Sequence, residues 1–258
     1  MSMNAVMTPS RVPVLDVVCG FDLAPAALIE ARSLQRRVDR KYLLGANNLN
    51  GLLARLRHSH CVVRAGQQVW ARYESLYFDT PDRMLYHTHR CGRRPRYKVR
   101  IRHHIDRELS FLEIKRKENS GRTVKHRLAL PYAQTDLGSR ERTFIESHTP
   151  LHGTGLFPRV SISFRRLTLL GSDINERVTL DRELTVVAGT RAEQLAGIVI
   201  AEVKQSRYVN HAGAVAAFRG LNIREEALSK YCLATILVAP VRANIFKPAL
   251  RAAVRLST

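Results

Sequence analysis

Acidic side chains are scarce in this chain: 22 Asp and Glu stand against 42 Lys and Arg in 258 residues, a formal net charge of +20. A small soluble domain ordinarily carries a net charge of about 2–8. The excess calls for an anionic partner: nucleic acid, an anionic membrane face, or a polyphosphorylated small molecule. Cysteine is sparse as well, at 4 residues, and Cys19, Cys61, Cys91 and Cys232 form no C-x-x-C pair. That excludes a disulfide framework or a cysteine zinc site and fits a reduced, cytoplasmic setting. No apolar run reaches the roughly 18 residues of a transmembrane helix. The N-terminal stretch Val12 to Phe21 is broken by Pro13 and Asp16, which makes it a poor signal peptide. The P-loop pattern, H-E-x-x-H and G-x-S-x-G are missing too, so P-loop, zincin and serine-hydrolase chemistry have no support. Repeats, low-complexity tracts and Pro/Ser-rich linkers are also lacking.

What is present is an ordinary globular composition, 45% hydrophobic and 25% charged. It reads as a single domain over residues 21–240, with a loose N-terminal arm at 1–20 and a basic C-terminal tail at 241–258. The tail carries Arg242, Lys247, Arg251 and Arg255 and no acid, the pattern of a solvated segment, with a membrane surface as the lesser alternative. Helices are expected over Ala24–Ser33 and, from their 3.6-residue apolar spacing, Leu49–Leu56, then Ala212–Phe218 and Arg224–Leu237. Strands are expected over Trp70–Thr80, Arg96–Arg102, Ser110–Lys117, Arg122–Leu130, Arg159–Leu169, Glu176–Leu184 and Gly197–Gln205. Asn119-Ser120-Gly121 is the turn of a hairpin. Short connections make the sheet antiparallel and the class α+β.

The polar faces of these strands are rows of charge. Lys98, Arg100 and Arg102 alternate with Val99 and Ile101; Glu113, Lys115 and Lys117 alternate with Leu112 and Ile114. Thr123, Lys125 and Arg127 share a face, as do Arg177, Thr179 and Asp181, and Glu202 and Lys204. A single such strand is most simply a solvated surface. Two strands, however, carry the same Glu-x-Lys pair inside apolar runs, Leu112-Glu113-Ile114-Lys115 and Ile200-Ala201-Glu202-Val203-Lys204. Buried charge without a partner costs several kcal/mol. A barrel with apolar residues outward under helices and charges in its lumen resolves the conflict, provided the lumen holds a polyanion and a divalent cation.

An ordered series of segments resembles the VTC-type polyphosphate polymerase domain, a branch of the CYTH-like triphosphate tunnel metalloenzymes. It comprises Arg37-Val38-Asp39-Arg40-Lys41-Tyr42, Ser75 to Asp82, Lys98 to Arg102, Glu113-Ile114-Lys115, Lys125, Phe164-Arg165-Arg166, Arg177 to Asp181, Glu202-Val203-Lys204 and Ser229-Lys230-Tyr231. The resemblance spans roughly residues 35–235. It implies a closed eight-stranded antiparallel β-tunnel with covering helices. It assigns Lys41, Arg100, Arg102, Lys115, Lys125, Arg166, Arg177 and Lys230 to phosphate binding and catalysis, with Lys204 in the catalytic set. Glu202, joined by Glu113, would hold Mn²⁺ or Mg²⁺, and Asp181 would lie nearby in support. One position departs from the family: the glutamate usual two residues before the first-strand lysine is Asp39 here.

The activity so implied is polyphosphate synthesis, with the ATP γ-phosphate passing to a pyrophosphate or polyphosphate primer. A tunnel triphosphatase and a non-catalytic polyphosphate- or nucleic-acid-binding protein are the alternatives. Attack by an ionised phosphate oxygen needs no general base, whereas hydrolysis does; cations in plenty and few spare carboxylates favour the polymerase. Aromatic residues are nearly missing from the basic faces, which counts against specific nucleic-acid recognition. A membrane partner protein remains among the acceptors of product. His87, His89, His103 and His104 are expected at the surface, Tyr77 and Phe78 in the core.

Overall fold

A computed structural model describes residues 17–32 and 37–257. The expected arm therefore lies largely outside the described residues, as do Ser33 and the residues that follow it to 36; within the arm, Val17–Gly20 form one short 3₁₀ turn. The strands are β1 (Val38–Gly45), β2 (His60–Val62), β3 (Ala71–Asp79), β4 (Arg96–His104), β5 (Leu109–Lys117), β6 (Thr123–Leu130), β7 (Phe157–Gly171), β8 (Glu176–Ala188), β9 (Arg191–Leu195) and β10 (Ile198–Gln205). The helices are α1 (Ala26–Ala31), α2 (Leu49–Leu56), α3 (Met84–Arg90), α4 (Ser139–His148), α5 (Gly213–Gly220), α6 (Lys230–Val238) and α7 (Lys247–Ser257).

One antiparallel sheet runs in the order β1-β10-β8-β7-β3-β4-β5-β6, with β2 added to β7 and β9 to β8. Period-2 alternation puts the two kinds of side chain on opposite faces of this curved sheet. The outward apolar residues are covered in two places. Leu52, Leu53 and Leu56 of α2 and Val215 and Phe218 of α5 pack on Leu44, Leu169, Val178, Leu180 and Val203. Ile145 of α4 packs on Val99, Ile101, Leu112 and Ile114. A third core lies on the inner face at one end, where Leu43, Ile162, Phe164, Leu184 and Ile200 meet Tyr231, Leu233 and Ala234 of α6 and Ala249 and Ala253 of α7. A helix apolar on every side is a buried helix, and α6 is buried as a plug at that end.

Two features of the expected barrel change. The sheet has ten strands rather than eight, because β2 and β9 are added beside the eight-strand path. It is also not closed: among the described residues β1 and β6 form no ladder with each other. Both edge strands present cations, Lys41 on one and Lys125 and Arg127 on the other, which disfavours pairing across that seam. The supposed C-terminal tail is partly α7, an 11-residue helix whose Ala249 and Ala253 are buried while Lys247, Arg251 and Arg255 stay exposed. The helix expected from Arg224 begins only at Lys230, after an extended stretch in which Glu225 bridges to Tyr42. Sequence reading missed α3 because its cap is supplied from a distance. The Asp79 carboxylate accepts from the backbone N–H groups of Leu85 at 2.8 Å and Tyr86 at 2.9 Å.

Candidate active site

Strand register gathers the inward side chains into one belt. Lys41 lies opposite Glu202 and Asp39 opposite Lys204. Glu202 lies opposite Thr179, and Arg166 opposite Asp181. Ser75 faces Arg102 and Tyr77 faces Arg100. Arg100 then faces Glu113 and Lys98 faces Lys115; Glu113 and Lys115 in turn face Arg127 and Lys125. Lys230 enters from the first turn of α6.

The carboxylates of the belt are already committed. Glu113, fully buried, accepts from Arg100 Nε at 2.8 Å and Arg127 Nη2 at 2.8 Å, and is also paired with Lys125. Burial alone would raise its pKa, but Arg100, Arg102 and Lys125 hold the carboxyl well below its ordinary value. Asp181, likewise fully buried, takes Arg166 through both oxygens at 2.6 and 2.7 Å and Lys230 at 2.6 Å. Against the cost of burial, those two cations push the Asp181 pKa down to about 2. Glu202 pairs with Lys204 at 3.2 Å. Its carboxyl is also held well below the usual range, against burial, by Lys204 and then by Lys115, Lys41 and Lys230.

Other inward cations have no carboxylate within ion-pair distance among the described residues: Lys41, Lys98, Arg102, Lys115 and Arg177. Arg102 Nε donates to Ser75 Oγ at 3.0 Å, and Lys98 Nζ to Ser229 Oγ at 2.9 Å. Burial, reinforced by Arg100 and Arg166, pushes Arg102 down to about 10. Burial pushes Lys98 down to about 8, and Lys41 adds to that fall. Lys115 is driven well below its ordinary value by burial and Arg100. Such a lumen repels itself and is complementary to a polyanion, whose oxygens would supply the missing counter-charge.

The folded-state pKa of Lys98 is depressed, so between about 8 and 10.5 the unfolded chain holds more protons than the folded one. Stability therefore rises with pH across that window while the lumen loses positive charge. The expected result is opposite trends: tripolyphosphate affinity falls, and the melting temperature of the ligand-free protein rises, as pH climbs from about 7.5 to about 9.5. Calorimetric titration and thermal scans over that range check it; Lys98→Met should flatten both curves.

The structure thus brings Lys41, Arg100, Arg102, Lys115, Lys125, Arg166, Arg177, Lys204 and Lys230 onto one surface, with Glu202 among them. Glu113, the other expected metal ligand, is engaged by cations. Its oxygens are taken by Arg100, Lys125 and Arg127, and among the described residues no group of three His, Cys, Asp or Glu side chains could hold a metal ion. Glu202 keeps a different neighbour: the buried hydroxyl of Thr179, directly opposite it, has no hydrogen-bond partner among the described residues. Lys98, Arg127 and Thr179 belong to the belt as well, although none of them is assigned a role from the sequence. Aromatic rings also line the lumen, contrary to expectation: Tyr73, Tyr77, Phe111 and Phe164 occupy inward positions. Phe78 is core as expected, while Tyr77, also buried, turns its hydroxyl to Arg100 Nη1 at 3.0 Å. His103 is buried rather than at the surface, sharing a 2.7 Å hydrogen bond with Ser110.

The motif Ser229-Lys230-Tyr231 ties the plug to three walls at once. Ser229 receives Lys98, Lys230 meets Asp181, and the Tyr231 hydroxyl donates to Asp79.

A curved antiparallel sheet whose inner face is a cationic lumen defines a tunnel-type protein suited to a polyanion. A match to the VTC domain covers residues 36–238, and the chain belongs to that family. Among solved structures, a putative adenylate cyclase from Bacillus halodurans aligns with a TM-score of 0.50 at 14% identity, over 76% of this chain and 94% of that one. A putative adenylate cyclase from Vibrio parahaemolyticus aligns with a TM-score of 0.45 at 15% identity, over 76% and 97%. A putative adenylyl cyclase from Hippeastrum, described as having a dominant triphosphatase activity, aligns with a TM-score of 0.47 at 12% identity, over 80% and 97%. No curated protein matches the sequence. No helix among the described residues is long and apolar enough to cross a membrane.

Proposed function

We propose that the protein is a polyphosphate polymerase that passes the γ-phosphoryl group of ATP to a pyrophosphate or polyphosphate primer inside the tunnel. The observation that carries this reading is the set of lumen cations without carboxylates, Lys41, Lys98, Arg102, Lys115 and Arg177, beside anchored Arg100, Arg166 and Lys230. Phosphoryl transfer depends mainly on positioning and charge neutralisation, and the lumen supplies both. Arg102 and Lys115 would bind phosphate oxygens directly. Glu113 and Asp181 would fix Arg100, Lys125, Arg166 and Lys230 in place, with Lys204 shielding Glu202.

A divalent ion, Mn²⁺ or Mg²⁺, suits Glu202 together with the unpartnered Thr179 hydroxyl, since such ions commonly use one or two carboxylates and complete their shell with substrate phosphates. When bound, it would neutralise charge on those phosphate oxygens. Glu113, saturated by cations, does not fit that task. The commitment of carboxylates also bears on the hydrolytic alternative. Activation of water needs a carboxylate free to take a proton, whereas Glu113 and Asp181 are ion-paired and Asp39 lies 2.9 Å from Arg37. A primer oxygen already ionised at neutral pH needs no such base.

Incubation with ATP, Mn²⁺ and pyrophosphate, resolved on a gel that separates polyphosphate from phosphate, tests the proposal. A ladder of long chains with ADP is the expected product. Free phosphate without chains would make the protein a tunnel triphosphatase, and intact ATP would reduce it to a binding protein.

A further inference from the structure

On the outside of the wall, a groove of about 400 Å³ lies between α4 and the edge strand β6. Its floor is the outward face of three strands, where Tyr97 lies opposite Arg116 and Arg116 opposite Val124. His126, next along β6 on the same face, lies opposite buried Ile114. The last turn of α4 forms the other side of the groove and brings His148 to His126, with ring centroids 4.1 Å apart. Both rings are half-buried.

His148 Nδ1 lies 2.8 Å from the Phe144 carbonyl oxygen, which has no proton to give. Nδ1 therefore carries the hydrogen, and Nε2 of the neutral ring carries the lone pair. A backbone carbonyl behind one ring nitrogen is the arrangement that orients metal-ligating histidines. His148 Nε2 and both ring nitrogens of His126 have no hydrogen-bond partner among the described residues, and none of the three is shut away from solvent. Burial, then His148 and Arg116, hold His126 below the ordinary imidazole value, so it too is a neutral ligand. Arg116 is itself turned to Glu118 at 2.7 Å, and the carbonyl end of α4 favours positive charge in the groove. At a metal–nitrogen distance of about 2.1 Å, two imidazoles on one ion have centroids about 4.5 Å apart at a cis angle of about 90°, and about 5.2 Å apart at the tetrahedral angle. The observed 4.1 Å is nearer the cis arrangement. Glu146 lines the same groove but accepts from the Gly153 N–H at 3.0 Å, and no third His, Cys, Asp or Glu completes a ligand set among the described residues. Water would fill the other positions.

We infer that His126 and His148 form a metal site on the outer wall, for an imidazole-seeking divalent cation of the Ni²⁺ or Cu²⁺ type held through two cis nitrogens and water. The site lies beyond the proposed reaction and differs in chemistry from Glu202 and Thr179, whose oxygen donors suit harder ions. Among the described residues β6 has a ladder neighbour on one side only, so an ion in the groove would tie the edge of the wall to α4, directly behind Lys125 and Arg127.

Calorimetric titration of the full chain with Ni²⁺, in buffer free of phosphate, is expected to show saturable binding that His126→Gln and His148→Gln each weaken by about tenfold or more, while Glu202→Gln keeps it. Electron paramagnetic resonance of the unaltered protein with one equivalent of Cu²⁺ should show coupling to two imidazole nitrogens, a readout that needs no variant. Ni²⁺ at about 100 times its dissociation constant should raise the melting temperature by about 5 °C or more, and neither histidine variant should follow at the same concentration. Ni²⁺ affinity unchanged in both histidine variants, an equal loss in Glu202→Gln, or copper without a pair of imidazoles would overturn the inference. The proposed reaction in the lumen would stand in each of those cases.

Discussion

Glu202→Gln is expected to lower divalent-metal-dependent turnover by about 10²–10³-fold, the usual scale for loss of one electrostatic group that acts on developing charge. The same change should not weaken metal-free binding of tripolyphosphate. The Glu202 carboxylate is the counter-charge for Lys204 at 3.2 Å and lies within the field of Lys115, Lys41 and Lys230. Neutralising it releases those ammonium groups to an incoming anion, so binding without metal should tighten. The pairing of opposite effects is the diagnostic: turnover down, metal-free affinity up. Steady-state assays in Mn²⁺ and titrations in chelator measure the two separately. Full activity in the variant would place the metal elsewhere, and a loss of metal-free affinity would mean that Glu202 positions the lysines rather than opposing the substrate.

Lys115→Met should separate stability from binding. Lys115 has no carboxylate partner among the described residues, and Arg100 beside it disfavours its charge. Replacing it with an apolar side chain of similar length removes an unpaired charge from the lumen. We expect the ligand-free protein to gain about 1 kcal/mol or more, a rise of roughly 2–4 °C in melting temperature for a domain of this size. Tripolyphosphate affinity should fall by about 10–100-fold, because a charge-assisted phosphate contact is lost. Saturating tripolyphosphate should then stabilise the unaltered protein far more than the variant. A destabilised variant that still binds would show that Lys115 belongs to packing instead.

Much of the lumen was legible as alternation. Lys98, Arg100 and Arg102 on β4 and Glu113 and Lys115 on β5 follow a strict period of two, and their inward face follows from it. Arg166 shows where that rule loses its grip. Arg165 and Arg166 are adjacent, and the β7–β8 register shifts between Ser163 and Arg165. Past that irregularity, counting from a distant residue no longer identifies the inward side chain. The structure pairs Arg166 with Asp181 in the lumen and Arg165 with half-exposed Glu183. The ionic state of Glu113 was hidden for a different reason. Its partners come from β4 and β6, so its saturation depends on two ladders whose registers are not written in β5 itself. The segment of α6 was legible as a helix, but not as one buried within the tunnel. The aromatic residues of the lumen were overlooked because Tyr73, Phe111 and Phe164 sit on three strands, each near charged residues that dominate the local pattern.

Among the described residues β1 and β6 form no ladder with each other, β1 meeting only the Glu225–Glu226 stretch on its outer edge, so the hydrogen-bonded wall has the topology of a slotted tube rather than a ring. A polymer inside a ring is threaded, and it can leave only by sliding out along its whole length. A polymer lying in a slotted tube is never linked with the wall around it, so its length sets no limit on release. Within that wall, spokes run from α6 to three strands: Ser229 to Lys98 on β4, Lys230 to Asp181 on β8 and Tyr231 to Asp79 on β3. One turn of a single helix is thereby anchored to both halves of the wall at once.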